Sequence, residues 1–185
     1  KSIDSSARAM EGGTLALFTN YADLEYCYHN LRSAWSKLGR SVYAQGQGFS
    51  RSELRSKMME EGDVLLLGAE SFWKGFDAKG PSLSQVILTR LPFENPGHPI
   101  MEAKTERLEA EGKNSFMEIT IPKAVIRFRQ GMGRLIRSHT DVGDLLILDS
   151  RVLHKRYGSH FLSELPIGGY ELEQVREMMG ELENE

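Results

Sequence analysis

Cysteine is almost absent: Cys27 is the only one in 185 residues. A lone thiol excludes an internal disulfide framework and any four-cysteine metal cluster. Cys27 itself reads as a buried helix residue rather than a catalytic thiol. The five histidines (His29, His98, His139, His154 and His160) are scattered, and no pair has metal-ligand spacing. No apolar run approaches a membrane span and no signal-peptide pattern opens the chain. A cytoplasmic protein with no membrane partner is expected. Also missing is a Gly-x-x-x-x-Gly-Lys-Ser/Thr phosphate cradle, and no Asp-Glu-x-His or comparable acidic pair stands ready to hold Mg²⁺. Phosphoryl transfer needs a cradle, a metal and a positioned water. The chain is therefore not expected to hydrolyse a nucleoside triphosphate by itself. No glycine-rich strand-to-helix turn follows the first strand, which argues against a free-standing Rossmann-like enzyme. Charge of one sign is not in excess either. The net charge is -3, so any contact with nucleic acid runs through local patches.

What is present is an ordinary globular composition, 40% hydrophobic and 26% charged, in a length that suits one domain with a proper core. Five short apolar runs read as buried strands: Thr14 to Phe18, Ser41 to Ala44, Asp63 to Gly68, Leu83 to Leu88 and Gly143 to Asp149. Between them lie helical patterns. Leu24, Tyr28, Leu31 and Trp35 are spaced for one face of a helix over 22–38, closed by Gly39. Ser50 and Glu53 form a capping box at the head of a helix that Gly62 closes. Ile100 to Gly112 reads as a helix of mixed charge, and Ser159 to Leu165 as a short one. Gln45-Gly46-Gln47-Gly48 reads as a plain turn. Buried strands alternating with helices predict an α/β fold with a parallel sheet covered on both faces. Residues 171–185 hold six acids against one arginine and read as a solvated tail beyond a last helix over 170–179. The chain opens on Lys1 rather than Met, so an excised piece of a longer protein is expected, with 1–185 drawn as one domain.

Two stretches concentrate polar residues where such sheets carry function, at the carboxyl ends of strands. Ala69 to Asp77 follows the third strand and crowds three aromatics, two acids and a lysine together. Residues 120–140 read as one helix entered through Pro122. Val125, Phe128, Met132, Leu135 and Ile136 fall on one side and Arg127, Gln130, Arg134 and Arg137 on the other. From Ile119 to Thr140 there are five Lys/Arg and no Asp or Glu. Such a row is either a solvated face or a site for an anion, and arginine suits phosphate oxygens. Gly131 and Gly133 each cost about 1 kcal/mol against alanine in a helix, so something is expected to approach the backbone there. Residues 32–57 hold six Lys/Arg and one Glu. They read equally as a nucleic-acid patch or as a solvated face.

These blocks together resemble the second RecA-like domain of DinG/XPD-type superfamily 2 DNA helicases, most nearly the bacterial DinG branch. Phe18-Thr19-Asn20-Tyr21 looks like motif IV. Ser71-Phe72-Trp73-Lys74-Gly75-Phe76-Asp77 looks like motif V, with Lys74 where the family has an acid. Gln130 to Arg137 looks like motif VI, and Leu148-Asp149-Ser150-Arg151 matches the family's closing pattern. The resemblance spans nearly the whole chain.

It implies a RecA-like parallel sheet sandwiched by helices, acting as the second motor domain. Arg134 and Arg137 would be arginine fingers and Gln130 would orient water or touch the γ-phosphate. Gly75 and Asp77 would bind nucleotide. Thr19, Ser71 and Lys74 would touch DNA phosphates, and Tyr21 or Trp73 would stack on a base, although Trp73 reads at least as well as core. Asp149 and Arg151 would tie the last strand to the 71–77 segment. ATP with Mg²⁺ would be held mainly by a first motor domain outside this chain. Single-stranded DNA and that N-terminal motor domain, in some members with an exonuclease, would be the partners. No iron–sulfur cluster belongs to this chain. The reversed charge at Lys74 keeps a second reading open: an ATP-uncoupled RecA-like module that binds single-stranded DNA or a protein.

Overall fold

The computed structural model describes residues 1–75, 82–94, 97, 99–135 and 143–165. Five parallel strands lie in the order β2-β3-β1-β4-β5: β1 Thr14–Leu17, β2 Ser41–Ala44, β3 Val64–Gly68, β4 Gln85–Leu88 and β5 Asp144–Ile147. All five are the strands expected from the apolar runs. The central β1 pairs Ala16 with Leu67 on one side and with Ile87 on the other. Successive residues of a strand face opposite ways, and here both ways are buried. Leu15, Leu17, Leu66, Val86 and Leu88 face one core. Ala16, Phe18, Leu65, Leu67 and Ile87 face the other.

Chirality decides which helices cover which face. Parallel crossovers are right-handed, so a step in one direction along the sheet puts its helix on one face and a step back puts it on the other. The step from β1 to β2 runs one way and carries α2 (Tyr21–Ser36). It packs Leu24 and Trp35 onto the Ala16–Leu67 face beside Ala7 of α1 (Ser2–Ala9). The later steps run the other way. They place α3 (Arg51–Glu61), α4 (Glu70–Gly75) and α6 (Ile121–Met132) on the opposite face, with Leu54, Phe72, Trp73 and Phe128 in its core. Between α4 and α6 comes α5 (Pro99–Ala110), and α7 (Arg151–His154) and α8 (Gly158–Leu162) close the chain's described part.

Local chemistry sets the helix ends. Asn20 caps α2 by accepting the Asp23 N–H at 2.8 Å. Ser50 and Glu53 form the expected box, with the Ser50 N–H donating to Glu53 Oε2 at 2.7 Å. Gly39 and Gly62 follow α2 and α3 with φ of 71° and 72°, a conformation open to glycine.

The arginine-rich helix differs from expectation at both ends. It is preceded by a π-helical turn, Phe116–Thr120, and it stops at Met132, with Gly133 as its cap and residues 133–135 in a turn. Two glycines in three residues remove the propensity that would carry the helix on to Thr140. Its buried side is nonetheless the predicted one, with Phe128, Met132 and Leu135 buried and Val125 partly so. Ile136, Arg137 and Thr140 lie outside the described residues, as does the expected helix over 170–179 and the acidic tail. The stretch after β3, for which the sequence pattern gives no element, contains the short helix α4.

Candidate motor-domain site

The carboxyl ends of the strands carry the site. The chain leaves β1 at Phe18-Thr19-Asn20-Tyr21, with Thr19 exposed and Tyr21 46% exposed. The Leu17 carbonyl accepts both the N–H (3.1 Å) and the hydroxyl (2.9 Å) of Thr89, which follows β4. Asp23, the first-turn acid of α2, pairs with Arg90 at 3.0 Å. These bonds fix the mouth of the crevice between β1 and β4.

Trp73 organises the opposite wall. Its indole N–H donates to the Phe18 carbonyl at 2.9 Å, and its ring is 1% exposed. A Cβ on Gly131 would stand 2.9 Å from that ring and 3.3 Å from Leu17. Gly131 is therefore a glycine because the tryptophan lies against the α6 backbone. The approach expected at this helix is a side chain of the same core. A Cβ on Gly133 would stand 3.3 Å from the Arg129 carbonyl, a close contact with the preceding helical turn and, among the described residues, not with a side chain. Trp73 is core and has no exposed face on which a base could stack, which corrects its reading as a stacking residue.

The carbonyl of Trp73 in turn accepts a bond from Arg134 Nη2 at 3.2 Å. Arg134 sits in the turn after α6, half-buried, with its N–H on the Gly131 carbonyl at 3.2 Å. Gln130, four residues earlier, is exposed near the helix end. The structure thus brings Arg134, Trp73 and the end of β1 together through backbone carbonyls. Ser71 is half-buried on α4. Arg137 and Asp77 lie outside the described residues. Lys74 and Gly75 end α4, but the side chain of Lys74 is not among the described parts.

Among the described residues, the bonds of Asp149 and Arg151 reach the loop after β4 rather than residues 71–75. Asp149 Oδ2 accepts the Leu91 N–H at 2.8 Å, so the bond reaches the loop after β4. Burial opposes the charge on Asp149. The Arg151 guanidinium, at 2.6–2.8 Å, and the Leu91 and Arg151 N–H groups outweigh it and hold the carboxyl below its usual range. Arg151 is held above its usual range by the same pair and lies over the Phe93 ring at 5.3 Å.

The basic run over 32–57 is not one surface. Arg40 stands at the opposite, amino end of the sheet and bonds backbone carbonyls there, while Lys57 pairs with Glu61 at 3.5 Å and lies over Tyr43. Arg129 pairs with Glu164 at 2.5 Å. Cys27 is only half-buried, and burial raises its thiol. Among the described residues no group of three or more His, Cys, Asp or Glu side chains could hold a metal ion, and no helix is long and apolar enough to cross a membrane.

Sequence reasoning passed over one residue at this edge. Gln45 follows β2, and its amide bridges Tyr21 and Ala69. Its position directly after a strand was the signal, the same one that singled out the segment after β3.

Residues 3–168 match the helicase C-terminal domain family. The chain is 39% identical over 165 residues to the 3'-5' exonuclease DinG of Bacillus subtilis strain 168, covering 89% of this chain and 18% of that protein. It is 37% identical over 158 residues to the ATP-dependent DNA helicase YoaA of Haemophilus influenzae, covering 85% of this chain and 24% of that protein. The chain thus spans about a fifth of the length of these relatives. Among solved structures, S. tokodaii Xpd4 superposes with a TM-score of 0.63 at 20% identity, over 87% of this chain and 30% of that one. That likeness shows the shared RecA-like fold. A family match over most of the length, with DinG and YoaA proteins as relatives, identifies the chain as a member of the helicase C-terminal domain family of the DinG/XPD type.

Proposed function

We propose that the chain is the second motor domain of a longer cytoplasmic protein, an ATP-dependent DNA helicase or helicase-like exonuclease of the DinG family. The observation that carries this reading is the placement of Arg134. Its guanidinium is steadied by the Trp73 carbonyl at the carboxyl edge of a parallel sheet, in a motif whose spacing matches motif VI. In this reading Arg134 and Arg137 stabilise charge on the γ-phosphoryl group of ATP, and Gln130 orients water or touches the γ-phosphate. Gly75 and Asp77 contact the nucleotide. The first motor domain supplies the phosphate cradle and the Mg²⁺ site, so this chain alone is inactive. Thr19, Tyr21, Ser71 and Lys74 form part of a track for single-stranded DNA, with phosphate contacts positioning the strand and Tyr21 offering a ring for stacking. Trp73 supports the track from beneath.

Lys74 in place of an acid favours one alternative, an ATP-uncoupled module that binds single-stranded DNA or a protein partner. The two readings part in one assay: ATP hydrolysis by the full-length protein with and without single-stranded DNA, with the isolated chain as blank. The motor reading expects hydrolysis stimulated by DNA in the full-length protein and none in the chain. DNA binding by a full-length protein whose hydrolysis ignores DNA would instead establish the uncoupled module.

A further inference from the structure

We infer that Gln45 is a positioning residue that couples strand binding at Tyr21 to the helix supporting Arg134. The inference rests on the motor reading above and adds to it a residue and a role.

Gln45 follows the last residue of β2, and its backbone N–H donates to the Leu67 carbonyl at 2.9 Å, extending the ladder to β3 by one bond. Its half-buried side chain turns across the sheet's end. Oε1 accepts the Ala69 N–H at 2.9 Å. A backbone N–H can only donate, so this bond fixes which end of the amide is oxygen. The NH₂ end is then left for the Tyr21 hydroxyl oxygen, 2.5 Å away. One amide therefore joins the first residue of α2 to the residue just before α4.

Both partners lead to the proposed chemistry. Tyr21 is the partly exposed aromatic of the DNA edge. The Ala69 carbonyl accepts the Phe72 N–H at 2.8 Å, closing the first turn of α4. That helix carries Ser71 and Trp73, whose carbonyl accepts from Arg134. A strand that moves Tyr21 pulls on the head of α4 through two hydrogen bonds. Glutamine suits the task because it offers a donor and an acceptor at the required reach. Methionine keeps the length but offers no donor and only a weak sulfur acceptor.

The test is ATP hydrolysis by the full-length protein, titrated with an unstructured single-stranded deoxythymidine oligonucleotide. Gln45→Met should raise the half-saturating oligonucleotide concentration roughly five- to tenfold, the loss of about one hydrogen bond. It should leave DNA-free hydrolysis within about twofold and Tm within about 2 °C. Tyr21→Phe should raise the same concentration by a similar factor, and the double variant should be no worse than the weaker single, because both remove one link. Additive effects, an unchanged half-saturation in Gln45→Met, or an equal loss of DNA-free hydrolysis would each overturn the coupling role. If Gln45→Met does not fold, Tyr21→Phe decides: no shift overturns the inference. If the wild-type protein is not stimulated by the oligonucleotide at all, the motor reading falls first and this inference with it.

Discussion

The two ends of the sheet both carry an arginine among backbone carbonyls, and they use it differently. At the amino end, Arg40 donates to the carbonyls of Ala7, Arg8 and Met10 at 3.1–3.3 Å, pairs with Asp63 and lies 4.5 Å from the Trp35 ring. Trp35 in turn donates to Asp4 at 2.6 Å. The network is turned inward and fastens α1 to the sheet. At the carboxyl end, Arg134 rests on the Trp73 carbonyl, and around it Thr19, Tyr21 and Gln130 are partly or wholly open to solvent. The amino end is built to hold the chain together. The carboxyl end is built to hold side chains still at a surface. Charge counts alone put Arg40 in a candidate nucleic-acid patch, and only its partners reveal the difference.

That contrast can be broken or sharpened by substitution. The largest change in stability is expected at Arg40. Arg40→Ala leaves three carbonyls and Asp63 without their donor and removes a stacked cation, so unfolding free energy should fall by about 2–3 kcal/mol in urea titration. Asp149→Asn comes next, at about 1.5 kcal/mol at neutral pH, through the lost charge-assisted bonds to Arg151. Its pH dependence has a definite sign. The folded pKa of Asp149 lies below the unfolded value of about 3.9. Its contribution is therefore present above that value and lost as pH falls through the folded pKa. Urea midpoints measured from neutral to strongly acid pH should converge for wild type and Asp149→Asn at the acid end.

Smaller effects separate Gly131 inside α6 from Gly133, which caps it. Gly131→Ala gains about 1 kcal/mol of helix propensity but drives a methyl into the Trp73 ring, which is held by its own hydrogen bond. The net should be a loss of about 1 kcal/mol. Gly133→Ala meets no neighbouring side chain among the described residues, only the Arg129 carbonyl, and should stay within about 0.5 kcal/mol of wild type. Equal outcomes at the two positions would contradict the packing assigned to Trp73.

Much of the fold was legible because a buried parallel sheet writes its strands as apolar runs, and all five runs became strands. The caps at Ser50 and the terminal glycines Gly39 and Gly62 were legible because their chemistry is local. What was not legible depended on distant partners. The six-residue α4 has too few residues to show a period, and its Phe72 and Trp73 pack against Gly68 of β3 and Gly131 of α6, contacts that no local pattern marks. The Thr120–Thr140 helix was overextended because periodicity continued past the point where Gly131 and Gly133 ended it. Gly131 did announce a close approach, but sequence could not say that the neighbour was Trp73. The bond from the Leu91 N–H to Asp149 was hidden for the same reason, since the two residues lie 58 positions apart. The candidate site was legible as motifs. Its connections through the Phe18 and Trp73 carbonyls and through the Ala69 N–H on Gln45 were not, because backbone donors and acceptors leave no mark in a sequence.

The central claim is that Arg134 serves a phosphate rather than the fold. The most direct measurement is DNA-stimulated ATP turnover of the full-length protein carrying Arg134→Ala, with Tm recorded on the same samples and Arg40→Ala beside it. Arg134→Ala should lose about 10³-fold or more in turnover with Tm close to wild type, and Arg40→Ala should show the reverse pattern. Turnover preserved in Arg134→Ala, or lost only in step with Tm, would contradict that claim.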